Sequence, residues 1–209
     1  MQVDRPAPDE ELNPGPPVTP RPAATVILLR GAAERLEILL VKRNPRARFM
    51  GGAWVFPGGA VDPHEGRGER ALRAAALREL REEAGIQLSD PHALIGFSRW
   101  ITPEEITTRF DTCFYLAAAP PDVEAHVDGH EVVEARWYEP ANALKAAHAG
   151  EIELVFPTIK HLEQLAKFRS ATELVEYSRR RKIEPVMPRV LVSGEMARIV
   201  LPDEPGYGR

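Results

Sequence analysis

The sequence predicts an α/β protein, a mixed sheet with strands before and after one central helix, followed by C-terminal helices and a hairpin. Three observations predict it. Two short runs rich in β-branched and aliphatic residues, Ala24–Leu29 and Leu36–Val41, precede a long stretch of good helix formers, Glu69–Ala84. Strand-like runs then return at Leu94–Trp100, Thr108–Ala118 and Glu131–Trp137. The 209 residues are enough for one domain with a sizeable core.

Residues 1 to 22 hold seven of the 20 prolines and few large apolar side chains, which resists helix and strand alike and predicts an extended leader. Ala24–Leu29 and Leu36–Val41, separated by Gly31 and a polar turn, read as two paired, largely buried strands. Ala53–Phe56 reads as a short strand that delivers the chain into a glycine loop at Gly58 and Gly59. The central helix should end at Gly85, which suits the position just past a helix C-terminus. Leu72, Ala76 and Leu80 mark the helix face expected to meet the core.

In the strand at Thr108–Ala118, Phe110, Thr112, Phe114 and Leu116 alternate with Arg109, Asp111, Cys113 and Tyr115. Pro140 opens a helix through about Ala149, and Pro157 suits the start of the next, Phe156–Phe168. A further helix is expected over Ala171–Arg180, and Arg189–Val192 with Ala197–Leu201 reads as a hairpin.

Composition excludes several function classes. The formal charge of −4 argues against nonspecific binding of nucleic acid, which draws on a basic field. The one basic run, Arg179–Lys182, is read as a solvated helix end. No apolar run approaches the length of a membrane span. The single cysteine, Cys113, forbids an internal disulfide and reads as a small core residue. The first residues lack the basic and apolar regions of a secretory leader, so the cytoplasm is the expected compartment.

Chemistry concentrates between Trp54 and Ile86. On a helix, Glu79, Glu82 and Glu83 stand at i, i+3 and i+4, within about 100° of arc. Like charges so placed repel unless a cation neutralises them, and hard oxygen donors favour Mg²⁺ or Mn²⁺. A solvated acidic face relieved by Arg78 and Arg81 is the plain alternative. The loop through Phe56, Pro57, Gly58 and Gly59 tips the balance, because glycines let backbone approach a metal or a phosphate.

This stretch resembles the Nudix box, G-x5-E-x7-R-E-U-x-E-E-x-G-U with U apolar. Arg78–Ile86 match its second half at every fixed position. The first half departs: Gly59 and Glu65 satisfy G-x5-E, yet Arg78 comes five residues late, and counting back from Arg78 reaches Arg70 with Glu69 beside it. Glu65 and Glu69 therefore compete for one role.

The resemblance implies an α/β/α sandwich over roughly residues 24 to 168 of a single domain, 23–209, with a C-terminal extension at 169–209. It implies hydrolysis of a nucleoside diphosphate linked to another moiety, with Mg²⁺ or Mn²⁺ held by the box glutamates. FMGGAWVFPGG with its upstream arginines, the longer loop in the box, and WITPEEITTRFDTCFY resemble the coenzyme A diphosphatase-like branch. Coenzyme A or an acyl-coenzyme A is thus the first expected substrate, with ADP-ribose or NADH next.

By the same resemblance, Glu79 and Glu83 are metal ligands, Glu82 is ligand or general base, and the Gly58 carbonyl adds a ligand. Glu65 or Glu69 supplies a fourth carboxylate. Arg78 holds a box glutamate in place. The base comes alternatively from Glu131, Glu134, Glu104 or Glu105, with Glu131 preferred. Arg43, Arg48, Gly59, Trp100 and Arg109 are candidates for substrate contact. His64 in the inserted loop is read as loop. A regulatory module that binds such a nucleotide without hydrolysis is the competing class, and a homodimer stays open.

Overall fold

The computed structural model describes residues 11–31, 35–88, 90–193 and 196–208. The first ten residues of the expected leader, the turn at 32–34 and the hairpin tip at 194–195 lie outside the described residues.

Ten strands and four α-helices follow one another among these residues. β1 (Arg21–Arg30) pairs antiparallel with β2 (Glu37–Arg43), as their composition predicts. β3 (Trp54–Val55) and β4 (Gly58–Ala60) lead into α1 (Gly68–Ala84). After α1 come β5 (Ile95–Ile101), β6 (Phe110–Ala118) and β7 (Val132–Tyr138). α2 (Pro140–His148), α3 (Phe156–Leu165) and α4 (Ala171–Arg180) precede β8 (Pro185–Val186), β9 (Arg189–Ser193) and β10 (Met196–Val200).

The main sheet runs β3-β2-β1-β6-β5-β8, with β4 also pairing β1 and β7 also pairing β2. β1 and β6 are parallel over nine residue pairs, whereas β5 and β6 are antiparallel, so the sheet is mixed. β9 and β10 form a separate two-stranded sheet.

Strand alternation builds two cores. From β1 and β2, Val26, Leu28, Leu39 and Val41 face α1, where they meet Ala75, Ala76 and Leu80. Ile27, Leu29, Ile38 and Leu40 face the other way, toward Ala143, Leu162, Leu165 and Leu174 of α2, α3 and α4. Each such side chain gains about 1.5–3 kcal/mol on full burial, so both faces hold the sheet between helical layers. The result is the α/β/α sandwich that the motif implies.

Two expectations need correction. The glycine loop is partly strand, because β4 lies against β1 with Gly59 opposite Ala24 and Gly58 opposite Thr25. The buried stripe of α1 is Ala71, Ala75, Ala76, Leu80, Glu83 and Ala84, with Leu72 only half-buried. Small alanines let the helix approach the sheet, and the stripe carries Glu83 inward with it. Gly85 ends α1 in the left-handed region at φ 67°, its N–H donating to the Arg81 carbonyl at 3.0 Å.

Candidate active site

β4 and the last two turns of α1 place the chemistry. At Gly58 no side chain fits, because a Cβ would lie 2.6 Å from the Ala24 carbonyl oxygen. A Cβ on Gly59 would lie 2.2 Å from Glu79 Oε1. Close approach is therefore built into this corner, and it presses two carboxylates against the strand.

Glu83 is the more buried of the two, with a side chain 3% exposed. Its Oε2 accepts the Gly58 N–H at 2.9 Å, and its Oε1 lies 3.8 Å from an Arg43 nitrogen. Burial pushes its pKa up to about 8, with the Glu79 and Glu131 charges adding to the effect and the Gly58 bond and Arg43 opposing it. Glu79 is also raised, chiefly by burial, against the pull of Arg78.

Arg78 organises the remainder. It donates to Glu65 Oε1 at 3.0 Å, Glu79 Oε1 at 2.8 Å, Glu82 Oε2 at 3.1 Å and the Ala60 carbonyl at 3.0 Å. These partners push its pKa further up, the Glu65 bond most, so the guanidinium is a permanent charge. Burial would raise Glu65, yet the bonds from Arg78 and from the Asp62 N–H win and hold it below the usual carboxylate range.

The sequence-predicted residues separate clearly. Glu79, Glu83, Gly58, Gly59, Arg43, Arg48, Trp100 and Glu131 line one cleft of about 1160 Å³. Glu65 meets Arg78 through a short 3-10 turn at Pro63–Glu65, which absorbs part of the five-residue insertion. Glu69 points elsewhere, accepting from the Tyr115 hydroxyl at 3.1 Å and from Arg73 at 2.8 Å. Glu82 is half exposed at the rim, bound to Arg78 and 3.5 Å from Arg81.

Arg109, expected to contact phosphate, is a correction. Its buried guanidinium donates to the Thr102 and Val18 carbonyls, at 3.0 and 2.6 Å, and reaches the Met187 sulfur at 3.6 Å. It fastens backbone from three segments and does not line the cleft. Among the other base candidates, Glu105 bonds the Val190 N–H, Glu134 pairs with Arg136 and Glu104 is exposed outside the cleft lining. His64, read as loop, sits exposed on the 3-10 turn at Pro63–Glu65.

Sequence reasoning missed Arg21, Phe49 and Phe110, which line the same cleft. The Phe49 and Phe110 rings lie 6.1 Å apart, and Arg21 stands 5.9 Å from the Phe110 ring centre. Only the Arg48-Phe49 neighbourhood in the basic loop gave a signal. The pairing of Arg21 with Phe110 across β1 and β6 is a property of register.

The donor set can be tested against a divalent cation. Among the described residues no three acidic, histidine or cysteine side chains already converge on one point. Two buried carboxylates, with Glu131 in the same cleft, still suit a hard cation that keeps waters and takes its other ligands from phosphate. Burial raises both pKa values although Arg78 and Arg43 stand beside them, and a bound cation would favour the ionised forms, so the residues fit the group.

A family model described as the NUDIX domain matches residues 19–158. The chain belongs to the Nudix family. It is 29% identical over 203 residues to nudix hydrolase 7 of Caenorhabditis elegans, covering 81% of this chain and 68% of that one. It is 24% identical over 309 residues to the human acyl-coenzyme A diphosphatase NUDT19, covering 94% and 82%. A Nudix hydrolase crystal structure from Alicyclobacillus acidocaldarius superposes with TM-score 0.70 at 26% identity, over 76% of this chain and 96% of that one. As a Nudix hydrolase, the chain acts on nucleoside diphosphate derivatives, and hydrolases of this family generally depend on a divalent metal. Among the described residues no helix is long and apolar enough to cross a membrane.

Proposed function

We propose that this Nudix hydrolase is a Mg²⁺- or Mn²⁺-dependent diphosphatase whose first substrate is coenzyme A or an acyl-coenzyme A, with ADP-ribose or NADH next. One observation carries the assignment of chemistry: Glu83 is buried beside Glu79 while Gly58 donates to it, with the Arg43 guanidinium 3.8 Å away. The likeness to NUDT19 supports the choice of substrate.

Glu79 and Glu83 hold the metal in this reading, with the Gly58 carbonyl as a further donor. When bound, the metal neutralises diphosphate charge and acidifies the attacking water. Glu131, in the cleft with an exposed side chain, takes the proton from that water. Water oxygen bonds to one phosphorus, the bridging oxygen leaves with the other phosphate, and two phosphomonoesters result. Arg43 and Arg48 hold the phosphates. Arg78 fixes Glu79 from behind, Glu65 fixes Arg78, and Glu82 steadies that pair from the rim.

Activity screening of nucleoside diphosphate derivatives with Mg²⁺ or Mn²⁺, followed by product identification, tests this. Cleavage of coenzyme A thioesters into two phosphomonoesters, ahead of ADP-ribose and NADH, is the expected result. Preference for a dinucleotide would overturn the substrate choice.

A further inference from the structure

Beyond residue 158, where the family match ends, the hairpin β9–β10 brings Val190 and Ile199 to the cleft. Val190 and Ile199 are buried against Ile106 and Phe156, with Trp100 and Leu201 packed alongside. The hairpin is tied down at several points. Glu105 accepts the Val190 N–H at 3.3 Å and pairs with Arg189 at 3.5 Å. Tyr207 donates its hydroxyl to the Met187 carbonyl at 2.8 Å, next to the Met187 sulfur that Arg109 contacts.

The cleft that begins at Glu79 and Glu83 continues over Trp100, Ile106, Phe156, Val190 and Ile199. Its volume of about 1160 Å³ exceeds what a small ligand usually needs. Beside the ionic groups, the lining thus holds a cluster of buried aliphatic and aromatic side chains, with Thr102, Thr107 and Thr158 also on the cleft. A second nucleoside pressed against Ile106, Phe156, Val190 and Ile199 would find no hydrogen-bond partner in those four side chains. A flexible hydrocarbon arm would leave nothing unpaired and would gain with every methylene it buries.

We infer that the C-terminal hairpin is a specificity wall, on which Val190 and Ile199, with Ile106 and Phe156, bind an aliphatic arm carried by the non-nucleotide half of the substrate. This rests on the diphosphatase reading and deepens it: the extension selects the acylated form of the substrate. Glu11, whose carbonyl accepts the Thr107 N–H at 3.0 Å, borders the cleft from the leader side.

The test compares acetyl-, hexanoyl- and decanoyl-coenzyme A with the full chain and Mn²⁺. The expected result is a kcat/KM that rises at least tenfold from acetyl to decanoyl, at about twofold to fourfold per methylene buried until the wall is filled. Val190→Phe fills the wall and should cut the decanoyl-to-acetyl ratio at least fivefold. Ile199→Ala opens it and should move the optimum to a longer chain. Because each ratio is taken within one protein, a general loss of turnover cancels, and Ile199→Val serves if the larger change melts the fold. A flat response to chain length in the unsubstituted protein, with diphosphate cleavage intact, overturns the wall and spares the diphosphatase reading. If no diphosphate is cleaved, that reading fails, and calorimetry still decides the wall: decanoyl-coenzyme A must bind at least tenfold tighter than acetyl-coenzyme A.

Discussion

Arg78 closes two hydrogen bonds on Glu65, at 3.0 and 3.3 Å, although they lie thirteen positions apart in the chain. The five extra residues between Gly59 and Arg78 therefore leave this ion pair intact. They are accommodated by the 3-10 turn at Pro63–Glu65 and an α1 that begins at Gly68. With a side chain 6% exposed, Glu65 forms a pair far better shielded than a surface salt bridge.

Glu65→Gln should therefore lower kcat at least tenfold, since Arg78 loses its partner behind Glu79. Glu69→Gln touches only Tyr115 and Arg73 and should stay within about twofold. Steady-state kinetics of the two variants checks this. The reverse ranking would give the carboxylate role to Glu69.

The two glycines should fail differently. A Cβ on Gly58 collides with β1 backbone, the Ala24 oxygen at 2.6 Å and Thr25 Cα at 2.7 Å, so Gly58→Ala must shift a strand. It should cost about 1–3 kcal/mol in denaturant unfolding. A Cβ on Gly59 meets only the end of the Glu79 side chain, which can swing away. Gly59→Ala should leave stability within about 0.5 kcal/mol and still lower activity at least tenfold, because Glu79 is displaced.

How far the sequence reached follows from the range of each interaction. Local chemistry was legible: the apolar runs of β1 and β2, the stop at Gly85 and the prolines that open α2 and α3 all depend on neighbouring residues. The spacing of Glu79 and Glu83 on one helix was legible for the same reason. Arg109 was misjudged because its partners, Val18, Thr102 and Met187, come from three segments that only the fold brings together. The hairpin was readable as a hairpin, whereas its place over Ile106 and Phe156 was not. Counting could not tell that Glu65 rather than Glu69 meets Arg78, because that contact depends on the 3-10 turn.

The raised pKa of Glu83 sets a pH dependence for the metal-free chain. Between its ordinary value of 4.5 and about 8, the folded state keeps a proton that the unfolded state has released. Stability from this group is thus greatest below 4.5 and is lost as pH rises through about 8. In EDTA, the melting temperature should fall across that window, and Glu83→Gln should flatten the fall. Added Mn²⁺ should reverse it, because the cation binds the ionised carboxylate.

Calorimetric titration of Mn²⁺ into the chain and its Glu79→Gln and Glu83→Gln variants tests the central claim most directly. Below about pH 8 the chain should release a proton as it binds the cation, and its affinity should rise as pH approaches 8. Each variant should lose at least tenfold in affinity and orders of magnitude in turnover with its fold intact. Unchanged Mn²⁺ affinity in both variants, with turnover retained, would contradict the account.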